Sequence, residues 1–582
     1  MLIIRRIFKN ISKERKINLF FLVILNFLNS FCEIFTLSLI FPYLSLLVDS
    51  NLENKFLNNF LNFFPQQNIE EKITLLFISS IVISLIFRLF YLWISGILAA
   101  KIGSELSIKA YNNYLYQPYR FHIEQKSGEI VASINLYAGQ TIIVINSFLQ
   151  IINSLIITGL TFISILIINP FITLMGVFSI ISLYLIIFLL MNKKLFVVSQ
   201  KSVSYSDQMF NSLQEGIGSI REIKINNAYE YFVYKYSKIV KKLRVLQANA
   251  RFLTISPKFL IESIAIIVIV LIGFILFKKS SGNYSFIPTI GLIVFAIQRI
   301  LPYLQQILNS WASLKTNYKA LEKVINMIEL PVIKFDKKNI NLKYQFKKDI
   351  VFKNVSYRFN NESKDILRNI NLVIEKGDKI GIVGETGSGK STLLDLLMGL
   401  IKPTSGQILI DGIDINKENN NDFIITWRNS ISAVSQTIFL KNTTIGQNIA
   451  FVRNQYETIS KNKLIKVTKA ACIYDFIKNS VDGFRTLVGE RGNKLSGGQL
   501  QRIGIARALY KDSEIILLDE STSALDYKTE DKVIKSIYDY KKDITLVIIA
   551  HRVSTLNKCS KIIQINNGEI KKVTSSKDFF KN

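Results

Sequence analysis

Gly384, Glu385, Thr386, Gly387, Ser388, Gly389, Lys390 and Ser391 follow one another in this chain. A glycine, four residues and then Gly-Lys-Ser is the spacing of a loop that wraps phosphate. Its glycines let backbone amides approach phosphate oxygens closely. Lys390 is placed to reach the β- and γ-phosphates, and the Ser391 hydroxyl to serve Mg²⁺, with Thr392 beside it in the same nucleotide-binding set. The apolar run Lys379 to Val383 reads as a buried strand feeding the loop. The helix expected from Ser391 to Leu400 turns its positive amino end toward the bound anion. A second apolar strand, Ile515 to Leu518, ends in Asp519 and Glu520. Between the two strands lies the stretch Leu495, Ser496, Gly497, Gly498, Gln499. The chemistry these residues could do is phosphoryl transfer from a nucleoside triphosphate.

The elements that must hold them come in two kinds. The chain has 582 residues, of which 49% are hydrophobic and 20% charged, with mean hydropathy +0.28. Such a chain holds several domains and points to membrane spans. Six apolar stretches are long enough to cross a bilayer, near 18–48, 73–100, 141–168, 171–192, 257–277 and 286–313. The first is too long for a cleaved signal peptide and reads as a span that stays attached. Arg5, Arg6, Lys9, Lys13, Arg15 and Lys16 precede it and place the amino end in the cytoplasm. Six spans then return the chain to the side where ATP is available. The net charge of +29 fits the positive-inside bias better than nucleic-acid binding. Cys32, Cys472 and Cys559 are far apart and match no metal or disulfide framework, and His122 and His551 are the only histidines. The boundaries expected are a transmembrane domain at 1–327, a linker at 328–348 and a globular domain at 349–582. Leu52, Phe56, Phe60, Phe63 and Phe64 read either as a helix lying on the outer membrane surface or as a loop packed on the spans.

Taken together, the three motifs make residues 349–582 resemble the nucleotide-binding domain of ATP-binding cassette (ABC) transporters. The whole chain looks like a half-transporter of the exporter type. The fold class implied is a membrane α-helical domain of six spans, type I ABC exporter-like, followed by an α/β P-loop NTPase domain. The resemblance implies that Tyr357 stacks on adenine and that Asp519, Ser391 and Gln436 serve Mg²⁺. It makes Glu520 the general base, assisted by Gln436 and by His551 at the γ-phosphate. Ser496, Gly497, Gly498 and Gln499 would cap the nucleotide held by a second subunit, and Asp526 lies in the loop that crosses the dimer. Val488 to Gly492 resembles an exporter-type stretch that senses coupling helices, which are expected near Pro118 to Glu124 and Asn227 to Phe232. One copy of each part implies a homodimer with two complete sites, with a heterodimer as the alternative. The cofactors are ATP and Mg²⁺. No obligatory binding protein is expected, and the location is the bacterial inner (plasma) membrane with the ATPase domain cytoplasmic.

Charges inside spans are costly and mark function by default. Glu33, Arg88, Lys258, Glu262 and Arg299 stand in or at the spans. Lys258 and Glu262 share one helix face, and Glu33 could pair with Arg88 or Arg299. The positive charge left over favours an anionic cargo. Around Glu33, Arg88 and Arg299 the chain looks like bacterial flippases of lipid-linked oligosaccharides. This makes Arg88, Lys258, Arg299 and Glu33 the candidate substrate residues. A peptide, lipid A or multidrug exporter is the alternative cargo assignment, and no amino-terminal protease domain is expected ahead of the first span. A soluble ABC ATPase acting on DNA or ribosomes lacks such spans, and a regulatory membrane protein would use ATP without transport.

Overall fold

The computed structural model describes residues 2–40, 43, 69–168, 170–279, 287–332, 342–359, 364–417, 421–451, 458–541, 543–550 and 552–580. The chain forms two compact units: Met1–Gln117 with Glu124–Val332, and Pro118–Ile123 with Ile333–Asn582.

The first unit is helical: α1 (Leu2–Asn10), α2 (Lys13–Ser38), α3 (Ile69–Leu115), α4 (Tyr119–Glu124, grouped mainly with the second unit), α5 (Tyr137–Ile168), α6 (Pro170–Gly218), α7 (Ile220–Ile225), α8 (Tyr229–Lys279), α9 (Ile287–Thr316) and α10 (Tyr318–Ile328). Helices α3, α6 and α8 are 47, 49 and 51 residues long. At 1.5 Å per residue each is about 70 Å, more than twice the ~30 Å hydrocarbon core, so a large part of each stands outside the bilayer.

The amphipathicity is inverted. On α2 the buried face carries Asn26, Asn29, Ser30, Glu33 and Thr36, while Phe20, Phe21, Phe27 and Phe31 are exposed. On α3, Ser80, Ser84, Tyr91 and Ser95 face inward and Ile83, Ile86, Leu89 and Trp93 outward. In water this arrangement would be strongly unfavourable. In lipid it is the stable one, because small and polar side chains pack helix on helix. Three helices among the described residues are long and apolar enough to cross a membrane: Lys13–Ser38, Glu71–Leu115 and Gly128–Ile163. The other three expected spans coincide with α6, α8 and α9, where many side chains lie outside the described set. The candidate surface helix at 51–64 also lies outside it.

α1 docks onto α10: Ile3, Ile7 and Ile11 share a core with Leu321, Val324 and Ile325, and Arg6 Nη2 meets Glu329 Oε2 at 2.6 Å. The first turn expected to carry a transverse helix holds α4; around the second, expected at Asn227 to Phe232, the short helix α7 ends earlier at Ile225, the backbone reverses at Asn227 (φ 52°), and Tyr229 to Phe232 already belong to α8.

The second unit contains two sheets. The antiparallel one has the order β2-β1-β4-β5, from β1 (Asp349–Tyr357), β2 (Leu367–Glu375), β4 (Ser405–Ile410) and β5 (Ile413–Asp414). The other has the order β10-β9-β3-β8-β7-β6, from β3 (Lys379–Gly384), β6 (Ile431–Val434), β7 (Ile515–Asp519), β8 (Thr545–Ile549), β9 (Lys561–Asn566) and β10 (Glu569–Ser575). It is parallel except for the β9–β10 hairpin. β8 is buried along its whole length, and β7 from Ile515 to Leu518, as central parallel strands covered on both faces must be. Helix α11 (Lys390–Leu397) follows β3; α12 (Asn421–Ser430), α13 (Gly497–Tyr510) and α14 (Tyr527–Tyr540) complete the layers used below. Trp427 on α12 is fully buried and donates from Nε1 to the Leu397 carbonyl at 2.9 Å, which locks α12 to α11.

Candidate nucleotide and membrane-embedded sites

β3 and β7 end on the same edge of the parallel sheet, with β8 between them. Ligands of open parallel sheets bind outside such carboxyl ends. The loop after β3 is shaped by its glycines. A Cβ on Gly384 would lie 2.1 Å from the Ile565 carbonyl oxygen, so only glycine fits there. Gly389 stands at φ 98°, in the left-handed region, at the N-cap of α11. Lys390 is buried, and its Nζ donates to the carbonyls of Gly384 (2.9 Å) and Glu385 (2.7 Å), which holds the ammonium within the loop. Ser388 Oγ is buried with no partner among the described residues, an unmet donor in a phosphate cradle. Glu385, Thr386, Gly387 and Ser391 are exposed, and Thr392 is half-buried.

Glu520 follows β7 in the left-handed region (φ 49°), an unusual conformation for a side chain-bearing residue. Its N–H donates to the Ile549 carbonyl at 3.1 Å, and Gln436 Nε2 donates to its Oε2 at 2.7 Å. The Gln436 amide oxygen is therefore left for another partner. Together with the Ser391 hydroxyl and the Asp519 carboxylate it makes an all-oxygen set of the kind Mg²⁺ takes. Asp395 on α11 went unnoticed in the sequence. Burial, and then the charge of Asp519, push its carboxyl up to about 6.

Tyr357 does not offer a face to adenine. It is 2% exposed, packed in the core beneath the antiparallel sheet. Phe359, two residues on and past the end of β1, is 38% exposed and sits edge-to-face on Tyr357 at 5.4 Å. The accessible ring at this position is Phe359. His551 lies outside the described residues.

Ser496 caps α13. Its Oγ accepts from the Gln499 N–H at 3.3 Å, and Gln499 Oε1 accepts from the Ser496 N–H at 2.8 Å, a closed capping box. Gln499 thus shapes the start of the helix, whose amino end leaves Ser496 and Gly497 exposed and Gly498 half-buried. Asp526 likewise caps α14, accepting from the Thr529 N–H at 3.0 Å. Gln501, not singled out from the sequence, joins the two segments. Its Nε2 donates to Ser523 Oγ (3.1 Å) and its Oε1 accepts from the Ala524 N–H (2.9 Å).

In the helical unit, Glu33 is 1% exposed and makes no ion pair with Arg88. Tyr303 on α9 donates its hydroxyl to the Glu33 carboxylate, 2.6 Å from Oε2. The guanidinium of Arg88 lies over the Tyr303 ring, 5.9 Å from its centroid, and has no carboxylate partner among the described residues. Lys258 and Glu262 pair at 3.8 Å. Arg299 is on α9, its side chain outside the described set.

Known proteins share both units. Residues 367–523 match the family described as "ABC transporter" and residues 19–303 the family described as "ABC transporter transmembrane region". A Legionella pneumophila protein named ATP-dependent lipid A-core flippase is 32% identical over 384 residues, 65% of this chain and 63% of that one. The alpha-hemolysin translocation ATP-binding protein HlyB of Escherichia coli O157:H7 is 39% identical over 305 residues, 51% of this chain and 42% of its own length. The beta-(1→2)glucan export ATP-binding/permease protein NdvA of Agrobacterium vitis is 36% identical over 310 residues, 53% of this chain and 50% of that one. The matched part thus spans between 42% and 63% of the length of these curated relatives. A solved bacterial Atm1-family ABC exporter with ATP bound has the same fold, with TM-score 0.78 and 20% identity over 98% of this chain and 96% of that one. The chain belongs to the ABC transporter family and has the exporter-type fold, with a transmembrane region fused ahead of its ATP-binding domain.

Proposed function

We propose that this protein is a homodimeric, ATP-driven exporter of the bacterial inner membrane that flips an anionic lipid-linked oligosaccharide outward. ATP binds with its phosphates in the loop 384–391 and its base on Phe359. Ser391, Gln436 and Asp519 would hold Mg²⁺, which when bound neutralises charge on the β- and γ-phosphate oxygens. Glu520 accepts a proton from the attacking water as the new phosphorus–oxygen bond forms and the bond to ADP breaks. Gln436 fixes the orientation of that carboxylate through its hydrogen bond. Lys390 and the amino end of α11 stabilise the charge that spreads over the γ-phosphoryl oxygens. The amino end of α13 supplies the remaining donors to the nucleotide of a second copy. Two sites of this kind close together on ATP and part after hydrolysis.

One observation carries the cargo assignment: Arg88. Lys258 is paired with Glu262 and Glu33 accepts from Tyr303, so among the described residues Arg88 makes no ion pair. A fixed cation of this kind suits a phosphate or pyrophosphate group. The test is movement across vesicle membranes of a polyprenyl-pyrophosphate glycolipid, a plain phospholipid and a peptide. Movement of the glycolipid alone, lost in Arg88→Ala, supports the proposal. Movement of the peptide, or of all lipids alike, reassigns the protein as a peptide or multidrug exporter.

A further inference from the structure

A cavity of about 450 Å³ opens between α5, α6, α8 and α9, within the ~300–1,000 Å³ range of small-molecule sites. Gln140 comes from α5, Ser206 from α6, Gln247 and Arg251 from α8, and Asn309 and Ser313 from α9. On α8 the lining residues fall at 247, 250, 251, 254 and 255, one continuous helix face.

Its chemistry is selective. The lining is rich in amides and hydroxyls and contains no Asp or Glu. Asp207, which accepts from the lining residue Tyr137 at 2.7 Å, is also engaged by the Lys323 ammonium. Arg251 is exposed and has no acid partner, and the side chains of Gln140 and Asn309 make no hydrogen bond, among the described residues. Gln247 Oε1 accepts from Arg244 Nη1 at 3.0 Å, which leaves its NH₂ as a donor. An arginine fork with unengaged amides matches an anion that also bears hydroxyls. Neutral amides in place of acids avoid repelling that anion.

The level in the bilayer is equally informative. Gln140 is next to the residue where the third expected span begins, and Asn309 and Ser313 close the sixth. Arg251 precedes the fifth by six residues, about 9 Å of helix. The cavity therefore sits at the cytoplasmic boundary, where inner-leaflet head groups lie.

We propose that this cavity binds a glycosyl phosphate, the head group of the cargo, as a loading site on the cytoplasmic side. The inference rests on the exporter reading above and places a second cation, Arg251, ahead of Arg88 on the cargo's route.

The test uses the full-length protein in phosphatidylcholine nanodiscs without nucleotide. Affinity is measured for glucose 1-phosphate and for a short-chain prenyl-pyrophosphoryl N-acetylglucosamine, in the wild type, Arg251→Gln and Asn309→Leu. We expect binding of at least the prenyl probe, weakened about tenfold or more in Arg251→Gln, as for loss of a charge-assisted contact. Asn309→Leu weakens it less. Binding of the prenyl probe alone assigns the site to a lipid-borne head group; binding of glucose 1-phosphate as well shows that the sugar phosphate suffices. Should Asn309→Leu fail to fold, the exposed Arg251→Gln carries the test. Absence of binding by both probes overturns the proposal, as does equal affinity in Arg251→Gln. Absence of ATP turnover in the wild type is a separate result and overturns the exporter reading instead.

Discussion

Tyr303→Phe removes one hydroxyl and keeps the ring under Arg88. The hydroxyl donates to a carboxylate that is 1% exposed, 2.6 Å from Oε2. An ordinary interhelical hydrogen bond in a membrane bundle is worth about 0.6 kcal/mol. A bond to a charged group is worth about 1.5–3 kcal/mol, and a carboxylate left buried keeps its desolvation cost. The cation–π contact, about 0.5–1 kcal/mol at exposed sites, survives because the phenylalanine ring replaces the tyrosine ring. We therefore expect Tyr303→Phe to destabilise the helical unit by about 2–3 kcal/mol. In the Glu33→Gln background the same change should cost about 1 kcal/mol or less, since no charge is stranded. The assay is a double-mutant cycle on SDS-induced unfolding in mixed micelles, read from helical circular dichroism. Glu33→Gln should also retain glycolipid flipping, because Glu33 serves the bundle rather than the cargo. A coupling energy at or below the ordinary ~0.6 kcal/mol would refute the reasoning. Loss of flipping in a stable Glu33→Gln variant would return Glu33 to the cargo site.

Other expectations follow from the ATP-binding unit. Gln501→Leu removes both hydrogen bonds that its side chain makes between α13 and the Ser523–Ala524 turn; it should lower ATP turnover at least about tenfold while ATP affinity, measured with a fluorescent nucleotide, changes little. Gly384→Ala places a Cβ 2.1 Å from the Ile565 carbonyl, so the loop must shift, and nucleotide binding should fall below detection in the same assay. Phe359→Ala should weaken ATP binding by about 1–2 kcal/mol by analogy with base–aromatic stacking, and Tyr357→Phe should not weaken it. Asp395 has its folded pKa raised to about 6, above the ordinary ~3.9 of an unfolded chain. The folded state then binds more protons between these values, so this group makes stability fall as pH rises through that window. Asp395→Asn should raise thermal stability at pH 7 and flatten its change between pH 7 and 5.

The nucleotide site was legible because its parts are contiguous. A phosphate loop needs glycines at fixed offsets, so Gly384 to Ser391 is readable wherever it occurs, and the apolar run ending in Asp519 and Glu520 announces a buried parallel strand. Three of the expected spans were legible for a similar reason: length and hydropathy mark Lys13–Ser38, Glu71–Leu115 and Gly128–Ile163 as able to cross a bilayer. What spacing could not resolve was where elements stop. Tyr357 and Phe359 alternate onto the same face of one strand, yet β1 ends at Tyr357. The sheet therefore covers the first ring and leaves the second accessible. Nor do local patterns reveal long-range partners. Glu33 and Tyr303 are 270 residues apart, and no spacing in the sequence points to a phenol as partner of that buried carboxylate. Gln501 looks like any polar helix residue until the turn at Ser523 is folded against it. The cavity around Arg251 gathers residues from four helices, none distinctive alone.

The account rests most directly on ATP turnover by the purified protein in nanodiscs, compared between the wild type and Glu520→Gln. It predicts steady hydrolysis by the wild type, and a variant that binds ATP with similar affinity but turns over at least about a hundredfold more slowly, the scale of a lost general base. Near-normal turnover in Glu520→Gln would contradict the assigned chemistry, and no turnover in the wild type would contradict the proposal that ATP drives this protein at all.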